Sequence, residues 1–294
     1  MTASSLRIAE LFDNITVDNR NLDRFLSKKM PVNMYLIAMT PRSGSSYLCD
    51  ILHGSKLFGR PGEYINPGFI LKNLQMVPGR TPEEYLINML KHTSSWNGVA
   101  GLKASWFQFE LFIRALNSRN VLRAFQYIYL YRRDIYAQAV SLYKATESQV
   151  VHGNMEHSKD ALDKLASLRY NYEHIYKWHQ HIIKQEEGWA EFFMTNNVVP
   201  LCISYEEISK DIYNIVRRIA LYLNIPEQLI EKYSLHSGHT KLANRQSTEW
   251  AYRYALEFDH VTRSRTSPRS FFAQQLVKMK RIFTLHNTFK KMIN

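Results

Sequence analysis

Four short apolar runs, rich in β-branched and aromatic residues, recur along this chain with helical patterns between them. They are MYLIAM (34–39), GVAGLKA (98–104), FQYIYLY (125–131) and VVPLCISY (198–205). A strand followed by a helix and another strand pairs in parallel, because a parallel partner needs a long crossover. Near-continuous apolar strands also need cover on both faces. The helical patterns supply that cover: TPEEYLINMLKH (81–92), WFQFELFIRAL (106–116), DIYAQAVSLYKATE (134–147), YNYEHIYKWHQHIIKQEEGWAEFF (170–193) and YEEISKDIYNIVRRIALYL (205–223). The first of these opens as a capping box, with Thr81 at the cap, Pro82 in the first turn and Glu84 three positions on. The first thirty residues read as a short helical preamble. No internal repeat or low-complexity linker is present, so the predicted fold class is α/β, a parallel β-sheet flanked by helices. One domain is expected over residues 1–262, followed by a helical C-terminal extension over 263–294.

In such folds a ligand binds at the carboxyl ends of the strands, where the loop after the first strand meets a helix N-terminus. The stretch PRSGSSYL (41–48) sits at that point. Gly44 permits close backbone approach, Ser43, Ser45 and Ser46 add hydroxyls, and Arg42 adds a fork of N–H groups. Together they suit an anion; the alternative is that Ser45 or Ser46 simply caps the helix. The glycine spacing and the Lys-Ser/Thr pair of a Walker A loop are missing, which weakens a Mg-nucleotide kinase. A second cationic point follows in YRRDIYAQAVSLYKA, where Arg132 ends the third strand. Asp134 caps the next helix, and Ser141 lies seven residues on, about two turns along. Arg132 and Ser141 form a candidate second phosphate site, or else an exposed arginine and a small core residue.

Six stretches in order, PRSGSSYL, GRPGEYINP, GLKASWFQ, YRRDIYAQAVSLYKA, EEGWAEFF and STEWAYRY, resemble the motifs of the bacterial trehalose sulfotransferase family, from about Met34 to Leu256. The resemblance implies a P-loop-like fold and a carbohydrate O-sulfotransferase whose co-substrate is 3′-phosphoadenosine 5′-phosphosulfate (PAPS), with adenosine 3′,5′-bisphosphate as product and no metal. It implies that Arg42–Ser46 hold the 5′-phosphosulfate, and that Arg132 and Ser141 hold the 3′-phosphate. Glu63 in RPGEY matches the family's general base; composition alone makes it a turn residue after Pro61-Gly62. Arg42 is placed to stabilise the leaving oxygen. Lys103, near the end of the second strand, is either a further cation at the same edge or a solvated strand end. Lys241 and Arg245 in KLANRQSTEW either close over the 3′-phosphate or belong to a solvated loop. Arg60 and Gly62 stand where the family has an acidic and an amide residue, which admits an anionic acceptor.

The net charge of +12 comes largely from the tail, where Arg263 to Asn294 hold eight Lys or Arg and no acid. A basic excess favours anionic partners. The tail places Phe272, Leu276, Met279 and Phe283 at helical spacing among lysines, a pattern that docks on the domain, on a partner subunit in a homodimer, or on an anionic membrane. No compact nucleic-acid motif is present, so no nucleic-acid partner is expected. The histidines of HQH (179–181) read as helix surface and core. Cys49 and Cys202 read as reduced core residues, and with no apolar run near the ~20 residues of a membrane span the chain is expected in the cytoplasm. The expected acceptor is a carbohydrate or glycolipid hydroxyl. A nucleotide-dependent phosphotransferase and a non-catalytic 3′-phosphoadenosine-binding module are the alternatives.

Overall fold

The computed structural model describes residues 8–13, 17–150, 158–232 and 245–265. In chain order the elements are α1 (Glu10–Asp13), α2 (Asn19–Leu26), β1 (Asn33–Met39), α3 (Ser45–Gly54), α4 (Pro67–Leu74), α5 (Pro82–Thr93), β2 (Val99–Ser105) and α6 (Trp106–Ala115). There follow β3 (Phe125–Tyr131), α7 (Ile135–Ser148), α8 (Lys159–Ser167), α9 (Tyr172–Thr195), β4 (Leu201–Ser204), α10 (Tyr205–Lys210), α11 (Ile212–Tyr222) and α12 (Arg245–Arg265). The described residues fall into two compact units. One draws on residues 8–13, 17–133 and 180–232, the other on 134–150, 158–179 and 245–265.

The first unit contains the sheet, in the order β2-β1-β3-β4 with every neighbour parallel. Its apolar alternation is buried on both faces, as the runs predicted. Leu36 and Ala38 of β1 face one core with Ala100, Leu102, Phe109, Phe112, Trp189 and Phe192. Tyr35, Ile37 and Met39 face the other, with Leu48, Leu52, Ile128, Leu130, Ile203 and Ile219. The connection after β1 leads to β2 on one side and the connection after β3 leads to β4 on the other. The two connections therefore lead away from each other past the paired carboxyl ends of β1 and β3, which is where a fold of this kind forms its binding crevice. Although β2 is an edge strand, all seven of its residues are buried. Part of its edge is closed by the segment before α4, where Lys103 N donates to Gly62 O at 2.9 Å.

Local chemistry explains where boundaries differ from expectation. Pro200 lacks an N–H for the ladder, and β4 begins only at Leu201. The long pattern at 205–223 divides at Asp211, whose extended backbone ends α10 while its side chain caps α11 by accepting from Asn214 N. Thr81 caps α5 as predicted, but Glu84 reaches back to Arg80 N rather than to Thr81 N. In the second unit α7, α12 and the start of α9 contribute to an aromatic cluster. His179, 3% exposed, meets Tyr254 OH at 2.9 Å there and packs edge-on to Phe258, which makes it a core residue. Cys49 and Cys202 are both free thiols. Among the described residues no helix is long and apolar enough to cross a membrane. The basic tail beyond Arg265 lies outside the described residues.

Candidate active site

Five residues, Thr40 to Gly44, connect β1 to α3. Arg42 has φ 67° and Gly44 φ 84°, both left-handed, with Ser43 between them. Alternation of handedness turns successive backbone N–H groups toward one side, forming a nest suited to an anion. Gly44 is the N-cap of α3 and supplies no side chain to it, so the first N–H groups of the helix are not capped by a hydroxyl. This removes the simple capping reading of Ser45 and Ser46. A Cβ at Gly44 would lie 2.7 Å from the ring of Tyr205, so the aromatic ring is seated directly against the loop.

Positive charge is concentrated at the same edge. The Arg132 guanidinium, at the end of β3, sits 4.7 Å from the centre of the Tyr205 ring. Burial pushes the Arg42 guanidinium below its ordinary pKa, and repulsion from Arg132 pushes it further; Tyr205 partly offsets both. Among the described residues, Ser43 is fully buried with its Oγ lacking a hydrogen-bond partner, and Arg132 Nε is likewise buried without one. Unsatisfied donors beside repelling cations fit a bound anion, which would supply both acceptors and countercharge. The adjacent Arg133 has a different role: its N–H donates to Glu206 and its guanidinium pairs with Glu207 at 3.6 Å, tying the end of β3 to α10.

Glu63 lies across the edge of the sheet from that loop, in the segment between α3 and α4. Its Oε1 is 3.3 Å from Lys103 Nζ, with the Lys103 side chain only 8% exposed and that of Glu63 22%. The same ammonium donates to Ser46 Oγ at 2.9 Å. Lys103 is thus not a solvated strand end; it bridges the anion loop to the carboxylate. Glu63 Oε2 accepts from Gln108 Nε2 at 2.8 Å and from Asn66 Nδ2 at 3.2 Å. Burial acts to raise the Glu63 pKa, but the Lys103 charge and the three side-chain donors outweigh it and hold the carboxyl below its usual range. At neutral pH the group is therefore an ionised carboxylate, able to accept a proton.

Of the remaining candidates, Ser141 and Arg245 lie in the second unit. Ser141 is on α7, whose cap Asp134 accepts from Ala137 N at 2.8 Å. Arg245 starts α12 and pairs with Glu249 on an exposed surface. Ser247 and Gln246 instead receive the Lys144 ammonium, each at 3.0 Å, which fixes the start of α12 to α7. Lys241 lies outside the described residues. Tyr205, Asn66 and Gln108 belong to the geometry of the site although sequence reasoning did not single them out. A signal existed for one of them: Ser105 and Gln108 stand in capping-box spacing at the start of α6.

A further motif residue supports the frame. Trp189 is fully buried, and its indole N–H donates to Met39 O, the last residue of β1, at 3.1 Å. Gly188 leaves space for the Trp106 ring, which a Cβ would overlap. The GW pair of EEGWAEFF therefore locks α9 against the end of the strand that launches the anion loop.

The family model for Stf0 sulphotransferases matches residues 34–257, a span that includes β1, the anion loop, Glu63, Lys103 and Arg132. The chain belongs to the Stf0 sulphotransferase family. The trehalose 2-sulfotransferase of Mycolicibacterium smegmatis is 24% identical over 263 residues, covering 75% of this chain and 93% of that protein. The trehalose 2-sulfotransferase of Mycobacterium tuberculosis is 25% identical over 264 residues, covering 77% of this chain and 96% of that protein. Among solved structures, the sulfotransferase domain of the Synechococcus PCC 7002 olefin synthase aligns with 16% identity and a TM-score of 0.36, over 78% of this chain and 89% of that one. As a Stf0 sulphotransferase, the chain is a sulfuryl-transfer enzyme by family, and the resemblance of its six motifs is confirmed.

Proposed function

We propose that this Stf0 family member transfers the sulfuryl group of PAPS to a hydroxyl of a carbohydrate or glycolipid. The observation that carries the reading is the Lys103 bridge, which joins Ser46, where the loop between β1 and α3 enters the helix, to a half-buried, ionised carboxylate. A group-transfer site for a phosphosulfate needs both: a cradle for the donor's anionic end and a base beside it for the incoming hydroxyl.

In the reaction the acceptor O–H bond breaks as a new O–S bond forms, and the bond from sulfur to the bridging oxygen breaks. Little covalent work falls to the protein, as in phosphoryl transfer, so positioning and charge stabilisation dominate. The nest at Arg42–Ser46 and the N-terminus of α3 hold the 5′-phosphosulfate. Arg42 and Lys103 oppose the charge that grows on the leaving oxygen. Glu63 takes the acceptor's proton, a contribution of roughly 10²–10⁴-fold for a well-placed base. By their places in the motifs, Arg132 and Ser141 are assigned to the 3′-phosphate, and Lys241 and Arg245 to closing over it. The acceptor class follows from the two trehalose 2-sulfotransferases above. Arg60 in the segment preceding Glu63 adds an exposed cation that suits an acceptor bearing an anionic group.

The test is incubation with PAPS radiolabelled at sulfur, trehalose, a panel of other sugars and glycolipid extracts. Label is expected in a carbohydrate-containing product, with release of adenosine 3′,5′-bisphosphate. Label that stays on the donor with every acceptor overturns the reading.

A further inference from the structure

The two oxygens of Glu63 are held unequally. Oε2 accepts two amide hydrogen bonds, from Gln108 and from Asn66, whereas among the described residues Oε1 meets the Lys103 ammonium alone. Each amide is anchored at its own oxygen to a different helix N-terminus. Gln108 Oε1 accepts from Ser105 N at 2.9 Å, closing the capping box of α6. Asn66 Oδ1 accepts from Gly68 N at 3.0 Å as the cap of α4. These caps fix which end of each amide points at the carboxylate: it is the NH₂ end in both cases. With two donors on Oε2, its lone pairs are already engaged. The oxygen that remains for an incoming proton is Oε1, on the side of Lys103 and the anion loop.

We propose that Asn66 and Gln108 are positioning residues for the transfer, occupying Glu63 Oε2 so that Oε1 takes the acceptor's proton beside the donor site. This rests on the base role of Glu63 and adds how that base is aimed. Neither amide touches the reacting atoms; each acts through Glu63, and each turns a helix cap into a fixed point for the carboxylate. The charged group that acts on Glu63 here is Lys103, from β2, and a titratable group that feels the Glu63 charge in turn is the Cys49 thiol, from α3. Burial raises that thiol to about 12 and keeps it neutral, so it adds no competing charge.

Two substitutions separate positioning from capping. Asn66→Ser keeps a capping oxygen and removes the NH₂ donor. Gln108→Glu keeps the oxygen for Ser105 N and replaces the donor with an acceptor. Both are assayed with labelled PAPS and whichever acceptor takes label in the experiment above. We expect kcat to fall at least ~10-fold in each, and the acid limb of the pH–rate profile to move to higher pH, because Glu63 loses a donor that favours its charged form and, in Gln108→Glu, also gains a like charge beside Oε2, so that Asn66→Ser is the variant that isolates the donor. The dissociation constant for adenosine 3′,5′-bisphosphate and the melting temperature are expected to stay near native. Because the variants touch different helices, misfolding of one leaves the other as the test. If a folded variant keeps native kcat and an unmoved acid limb while Glu63→Gln is inactive, the amides are caps only and the inference is overturned. If Glu63→Gln itself turns over, or no acceptor takes label, the base or donor reading fails and takes this inference with it.

Discussion

Arg42 holds a left-handed backbone that its own Cβ opposes, at roughly 1–2 kcal/mol for an L-residue. Strain of this kind is found where a site needs it, and here it turns the chain into a nest beside Gly44. Gly44→Ala would add a second strained residue and drive a methyl into Tyr205, the ring under Arg132. The expected result is a loss of about 1–3 kcal/mol in stability, read by denaturant unfolding, together with weaker donor binding. Arg132→Ala is expected to weaken PAPS binding by about 1.5–3 kcal/mol, the range for hydrogen bonds to charged groups. Affinity for adenosine 5′-phosphosulfate, which lacks the 3′-phosphate, should hardly change; equal losses by calorimetry would place Arg132 elsewhere. At Glu63 the depressed pKa sets the direction of the pH effect. On the proposed mechanism the active form is the carboxylate, so kcat/KM, which reports the free enzyme, should persist as pH falls and decline only below the ordinary carboxylate range. Glu63→Gln should lower kcat by roughly 10²–10⁴-fold, abolish that acid limb and leave the affinity for adenosine 3′,5′-bisphosphate unchanged.

Between elements, the seam of α9 on the end of β1 is the point most sensitive to small changes. Trp189→Phe removes one donor from Met39 O and should cost about 1–3 kcal/mol, since it leaves a buried carbonyl unsatisfied. Gly188→Ala should destabilise too, because Trp106 must leave its place; thermal melts of the two variants check both. The strands, α3, α6 and α7 were legible because their apolar period and caps are local properties of the sequence. The short helix α4 was not, since Asn66 and Pro67 start it but eight residues hold too little periodicity to announce it. The break at Asp211 was missed because a capping side chain inside an apolar period reads as one helix until its backbone is seen. Within the site, Arg42–Ser46 and Arg132 were legible from loop chemistry at strand ends, and Glu63 from its motif. Asn66 and Gln108 were not, because their donors meet Glu63 only after α4 and α6 have been placed by tertiary packing. For Lys103, position in the sequence left two environments open, and burial against Ser46 and Glu63 decides between them.

Over the whole molecule the charge is +12, and the tail beyond Arg263 carries most of it. Removing residues 270–294 is expected to abolish binding to anionic vesicles while transfer to a soluble acceptor continues; loss of folding or of subunit association would assign the tail to protein docking instead. Excess EDTA is expected to leave transfer intact, because Arg42, Arg132 and Lys103 supply positive charge at the donor site from the chain itself; strict metal dependence would contradict that. Lys103 also bears on timing. One ammonium serves both Ser46 in the anion loop and Glu63. On the proposed reading, an anion arriving in the loop competes for it, and as Lys103 turns toward that anion Glu63 loses the charge that most suppresses its basicity. If Glu63 is the base, it is then muted while the donor is away and sharpened once the donor is seated. The acid limb read in kcat, which reports the loaded enzyme, should accordingly lie at higher pH than the one read in kcat/KM, which reports the free enzyme; coincident limbs would refute the exchange.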